Sequence, residues 1–103
     1  MLSRINLHNK IKPHAGKFHA IGNTIRLSIV YILAREPMDF GLIVRRLKLR
    51  PSLAAHHLKQ LVNTGWVTKI KVGKLVTYYL SKDSVKETGT FLRKFVSPQS
   101  ESN

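Results

Sequence analysis

Two adjacent histidines, His56 and His57, stand two residues before Lys59 in the stretch LRPSLAAHHLKQLVNTGW, residues 49–66. Such a pair can ligate a metal, act as a catalytic base or meet an anion. Metal ligation fails on spacing: adjacent helical residues diverge, and the positions one turn on, Gln60 and Leu61, are not ligands. The other histidines, His8, His14 and His19, lie six and five residues apart and do not share a helical face. No metal site and no cofactor are expected. Catalysis fares no better, because the five Asp and Glu residues are scattered. No nucleophile is paired with a base, and no glycine-rich loop is present to cradle phosphate. The absence of cysteine removes thiolate sites and disulfides.

An anionic partner remains, and composition favours it. The chain has 103 residues, with 18 Lys and Arg against 5 Asp and Glu, a net charge of +13. That charge exceeds what solubility asks of a small domain and creates a field that draws in polyanions. At 43% hydrophobic content the chain can bury a core. It reads as a single domain over residues 1–96, with a polar, disordered tail at 97–103. No apolar run approaches the roughly 20 residues that span a bilayer, and the N-terminus lacks the apolar stretch of a secretory signal. A cytoplasmic protein with no membrane contact is expected.

The histidines need an element to place them. Pro51 suits the first turn of a helix, Gly65 suits a left-handed stop, and a helix from Pro51 to about Thr64 follows. At about 100° per residue, Ala54, Leu58 and Leu61 form one apolar stripe, while Ser52, His56, Lys59 and Asn63 gather opposite. His57 falls about 60° from the stripe, at its margin, so the two histidines part company. Before this helix, Asp39 caps a shorter one whose Phe40, Ile43, Val44 and Leu47 share a face, leaving Arg45 and Arg46 outward. Upstream, Asn23–Glu36 is apolar almost all round, which implies burial on more than one side, in a core or a subunit contact.

An N-terminal arm or short helix over 1–17 is expected to stop at Pro13 and Gly16. After Gly65, the runs WVTKIKV and LVTYYL flank Gly73 and Lys74, a pairing that fits a two-residue type II′ hairpin with a basic tip. Trp66 is expected in the core, and of Tyr78 and Tyr79 at most one can face a ligand, since they alternate across a strand. Ser84 and Glu87 match a capping box for a last helix, 84–96, with Val85, Thr88, Leu92 and Phe95 on one face. A short helix, a tight link, a second helix with a polar and basic face, and a basic hairpin make a winged helix-turn-helix. The fold class is α+β and mainly helical.

The residues also resemble a known family, the ArsR/SmtB-type winged-helix transcriptional regulators, over about residues 18–80. FHAIGNTIRLSIVYIL is similar to the family's helix opening, with its Arg-Leu pair at Arg26 and Leu27. LRPSLAAHHLKQLVNTGWV resembles its recognition helix, and KVGKLVTYYL resembles its wing. The resemblance implies a homodimer joined by N- and C-terminal helices, here through Ile25, Ile29, Leu92 and Phe95, on a near-palindromic site in double-stranded DNA. Half-sites would lie about 34 Å apart. Two departures affect DNA reading: Arg50 replaces the usual capping serine and Lys48 the usual turn glycine. Pro51 and Leu53 stand where the family often has Gln and Thr. FGLIVRRL holds no Cys, His, Asp or Glu, and the last helix offers only Asp83 and Glu87, so the family's metal switch is not implied.

The expected function is that of a homodimeric, sequence-specific DNA-binding transcriptional regulator, a repressor rather than an enzyme. Pro51, Ser52, Leu53, Ala55, His56 and Lys59 would face the groove, with Arg45, Arg46, Lys48 and Arg50 on the DNA backbone and Lys69, Lys71, Gly73 and Lys74 in the wing. Its rival is a non-specific architectural protein that coats DNA, favoured by the high charge and by the poor hydrogen-bonding tip of Pro51 and Leu53.

Overall fold

Ile29, Ile43, Leu58 and Leu61 are almost wholly withdrawn from solvent, and they come from three different helices. Ala20, Leu33, Met38, Trp66, Val67 and Tyr78 complete the core around them. In this computed structural model, residues 3–96 are described, so the expected tail at 97–103 lies outside the described residues. The elements run α1 (Arg4–Ile21), α2 (Thr24–Leu33), β1 (Met38–Asp39), α3 (Phe40–Leu47), α4 (Pro51–Asn63), β2 (Val67–Val72), β3 (Leu75–Leu80) and α5 (Lys82–Val96). Full burial of each large aliphatic side chain contributes about 1.5–3 kcal/mol. The exposed Arg46–Glu36 pair at 3.7 Å belongs to a class worth about 0–1 kcal/mol. Packing therefore decides this fold.

Helix boundaries follow side-chain chemistry. Asn23 Oδ1 accepts the Arg26 amide at 3.0 Å and starts α2, and Asp39 Oδ1 accepts the Leu42 amide at 2.8 Å and starts α3. Lys48 ends α3 in the left-handed conformation, φ 53 and ψ 46, where the family's glycine would sit without strain. Gly65, at φ 83, stops α4 as expected. The hairpin closes through Gly73 and Lys74, with Val72 opposite Leu75. Gly73 has φ 62 and Lys74 does not share a positive φ, the pattern of a type II′ turn.

Several expectations need correction. α1 does not stop at Pro13 or Gly16 but continues to Ile21. The proline falls in a stretch, residues 3–13, that is exposed throughout, so the carbonyl it leaves unpaired can turn to water. Beyond it, burial of Ala20 and a 2.9 Å bond from Trp66 Nε1 to the Lys17 carbonyl hold the helix. α5 begins at Lys82, earlier than the expected capping box. Ser81 Oγ accepts the Ser84 amide at 3.2 Å, whereas Ser84 itself is buried and donates to the Gly65 carbonyl at 2.6 Å. A third strand, β1, joins the sheet although its two residues carry no readable alternation: Met38 pairs with Tyr78 and Asp39 with Thr77.

On α2, Leu27 and Tyr31 stay exposed in the protomer, so this chain's own core covers only part of its apolar surface. Ile29 lies in the protomer's own core and offers no surface to a second copy, unlike the interface expected for it. The α5 face turned inward is built on Ser84, Thr88 and Phe91, so Val85, Leu92 and Phe95 are exposed.

Gly65 and Gly16 should respond oppositely to alanine. At Gly65 a Cβ would lie 3.0 Å from Lys17 Nζ in addition to the positive φ, so Gly65→Ala should cost more than about 1 kcal/mol in urea unfolding. At Gly16, inside α1 with open space around it, alanine should stabilise by about 0.5–1 kcal/mol in the same measurement.

Candidate nucleic-acid interface

α4 splits its side chains cleanly. Ala54, His57, Leu58 and Leu61 are buried, whereas Pro51, Ser52, Ala55, His56 and Lys59 are exposed. Leu53 is half-buried and reaches the outer face only in part. The side chains of Ser52, His56 and Lys59 form no hydrogen bond or ion pair with other described residues, although the His56 ring meets His57 edge-on at 5.4 Å. Arg50 stands at the N-cap and supplies no side-chain cap, which leaves the first amides of α4 to an outside acceptor. A helix N-terminus of this kind, flanked by Lys48 and Arg50, is a ready partner for phosphate oxygen.

The hairpin places its lysines by alternation. Lys69 is opposite Tyr78 and Lys71 opposite Val76, so both share the sheet face that carries buried Val67. That face turns toward α4. Ala55, Lys59, Val62, Asn63, Lys69 and Tyr78 border one hollow of about 340 Å³. The structure thus brings Lys59 and Lys69 together across the junction of helix and wing. Asn63 joins them, a polar residue that outward helical spacing already placed on this face. Lys71, Gly73 and Lys74 are exposed toward or at the wing tip. Arg45 is exposed on α3, and Arg46 leans toward Glu36. Of the aromatic candidates, Tyr78 is buried in the sheet and Tyr79 is partly exposed, while Trp66 is core.

His57 is more constrained than a residue at the margin of a stripe. Its Nδ1 lies 3.3 Å from Arg26 Nη1. Burial first, then the Arg26 charge and then His56, push its pKa below the ordinary histidine value. Sequence spacing places His57 near the core but gives no sign of Arg26, which is 31 residues away. His14, proposed for no helical metal face, stacks on Phe91 of α5 with ring centroids 3.9 Å apart.

Residues 23–69, from the cap of α2 into β2, match the sequence model of the bacterial regulatory protein, arsR family. The matched stretch takes in α3 and α4. Solved structures agree on the whole fold. An ArsR-like transcriptional regulator from Rhodococcus sp. RHA1 superposes with a TM-score of 0.80 at 22% identity, over 90% of this chain and 88% of that one. HlyU from Vibrio cholerae gives 0.71 at 28% identity, over 84% and 94%. The homodimeric winged helix-turn-helix DNA-binding domain of Mb0332 from Mycobacterium bovis, a possible ArsR-family transcriptional regulator, gives 0.73 at 19% identity, over 99% and 94%. No curated protein sequence matches the chain. Residues 23–69 are thus similar to arsR-family regulators, and the fold is that of a winged helix-turn-helix, with α3 and α4 as its helix-turn-helix and β2–β3 as its wing. The chain lacks the cysteines through which a thiolate metal sensor would work.

The depressed pKa of His57 has a defined sign in stability. Above about pH 6.5 the side chain is neutral in both folded and unfolded chains; below it the unfolded chain takes up a proton that the folded one resists. Stability should therefore fall as pH drops from 6.5 through the lowered folded value. Urea midpoints measured from pH 7.5 to 5 should show the unsubstituted protein losing more than its His57→Asn variant, and parallel curves would refute this assignment.

Proposed function

We propose that the protein is a homodimeric, sequence-specific transcriptional regulator that represses by occupying its operator inside the cell. The observation that carries this reading is the outer face of α4: Ser52, Ala55, His56 and Lys59 are exposed beside Lys69, in a helix-turn-helix similar to that of arsR-family regulators. Ser52, His56 and Lys59 are the candidates for base edges, with Ala55, Pro51 and Leu53 limited to apolar contact such as a thymine methyl. Arg45, Lys48, Arg50 and the wing residues Lys71 and Lys74 suit phosphate, which fixes register without reading sequence.

Dimerisation is supported by what the protomer leaves uncovered. On α1, Ile5, Leu7 and Ile11 are exposed; on α5, Leu92, Phe95 and Val96 are. Both helices lie on one side, joined by the His14–Phe91 stack, and a groove of about 460 Å³ runs between them. Apolar surface of this extent on two packed helices fits a subunit interface, whereas Ile25 of α2 is partly buried against the protomer's own core. The Mycobacterium domain, homodimeric by its own description, offers the precedent.

Selection of bound duplexes from random DNA tests the proposal. Enrichment of an inverted repeat with half-sites about one helical turn apart is the expected result. Binding without enrichment would favour a DNA-coating role, for which the +13 charge and the apolar Pro51 and Leu53 tip speak. If a dimer neutralises about 8 phosphates, log K should fall against log salt with a slope near −7. His56→Ala should weaken enriched over scrambled duplex, and Lys74→Ala should weaken both alike. Fluorescence anisotropy on the two duplexes separates these outcomes.

A further inference from the structure

One guanidinium joins three helices. Asn23 fixes the backbone of Arg26 at the first turn of α2, and from there Arg26 Nε donates to the Ala20 carbonyl of α1 at 2.5 Å. Its Nη1 lies 3.3 Å from His57 Nδ1 on α4. Arginine has donors only, so His57 must present a lone pair at Nδ1 and carry its single proton on Nε2. At 7% exposure, with a cation beside it, the ring has little room and no incentive to take a second proton.

The remaining contacts of α4 with the core are apolar: Ala54, Leu58 and Leu61. Such contacts are non-directional, whereas a hydrogen bond requires a distance and an angle. A side-chain tip about 6 Å from a helix axis moves by about 1 Å when the helix turns by roughly 10°, enough to spoil a hydrogen bond to a base edge. The N-terminus of α4 has no side-chain cap to prevent such a turn. His57 is adjacent to His56, so whatever fixes the rotation of one fixes the other.

We infer that Arg26 and His57 act as a positioning link, holding α4 at the rotation in which its outer face can read base edges. This rests on the reading of α4 as a recognition helix. The link also runs back to α1 through the Ala20 carbonyl, so the helix that bears the exposed apolar surface and the helix that bears His56 share one anchor. Neither Arg26 nor His57 touches DNA in this arrangement.

The test compares His57→Leu, which removes the acceptor, with His57→Asn, whose amide oxygen falls near the place of Nδ1. Affinities are measured for the duplex that the unsubstituted protein enriches from a random pool and for a scrambled duplex of equal length and composition. His57→Leu should lower the preference for the enriched duplex about tenfold, the worth of one base contact, with affinity for the scrambled duplex kept within about twofold. His57→Asn should restore most of that preference. Imidazole nitrogen NMR of the unsubstituted protein at neutral pH should show Nδ1 of His57 unprotonated, a readout that needs neither DNA nor a foldable variant. Equal losses on both duplexes, an Asn variant as impaired as the Leu variant, or a protonated Nδ1 would each overturn the link. A pool that the unsubstituted protein fails to enrich would overturn the recognition-helix reading first, before any substitution is made, and the specificity role of the link with it.

Discussion

Everything in this domain depends on α4 burying one side and keeping the other free. Ala54, Leu58 and Leu61 lie in the core with Ile29 of α2 and Ile43 of α3. Apolar burial of that kind supplies the energy, and the helical period then sends Ser52, His56 and Lys59 to the opposite side without further instruction. The outer face is thus a by-product of packing. Its orientation is set by whichever contacts resist rotation.

Polar ties do that resisting, and they converge on α1. The Lys17 carbonyl accepts Trp66 Nε1, and the Ala20 carbonyl accepts Arg26 Nε. Lys17 Nζ meets Ser84 Oγ, which in turn donates to the Gly65 carbonyl at the end of α4. The same ammonium stands 5.2 Å from the centre of the Trp66 ring. One helix therefore fixes the middle of α4, its C-terminal stop, the root of the wing and the start of α5. Its first half, exposed over residues 3–13, extends beyond these ties with its apolar side chains uncovered. A second copy covering that half would be mechanically joined to α4 through the other.

Much of this was legible from residue type and spacing. The caps at Asn23 and Asp39, the left-handed stop at Gly65, the two-residue hairpin and the divergence of His56 from His57 all follow from local rules, and local geometry obeys them. What was not legible depends on distant partners. Nothing near Pro13 announces that Trp66 and Ala20 will carry α1 past it. Ser84 has the look of a cap, yet the pull of Gly65 and Lys17 makes it a buried link and gives capping to Ser81. Ile29 reads as one more apolar residue on an apolar helix, and only the assembled core shows that it is spent within the protomer. Arg26 belonged to a sequence motif, but its bond to His57 spans two helices that sequence spacing cannot relate.

On the proposed function, duplex DNA meets the protein on this outer face of α4 together with the wing. Mapping backbone amide resonances as an enriched duplex is added tests it most directly. The largest changes are expected at Ser52, Ala55, His56 and Lys59 and at Gly73 and Lys74 of the wing, with the exposed half of α1 unaffected. Changes centred on α1 and α5, with α4 silent, would contradict it.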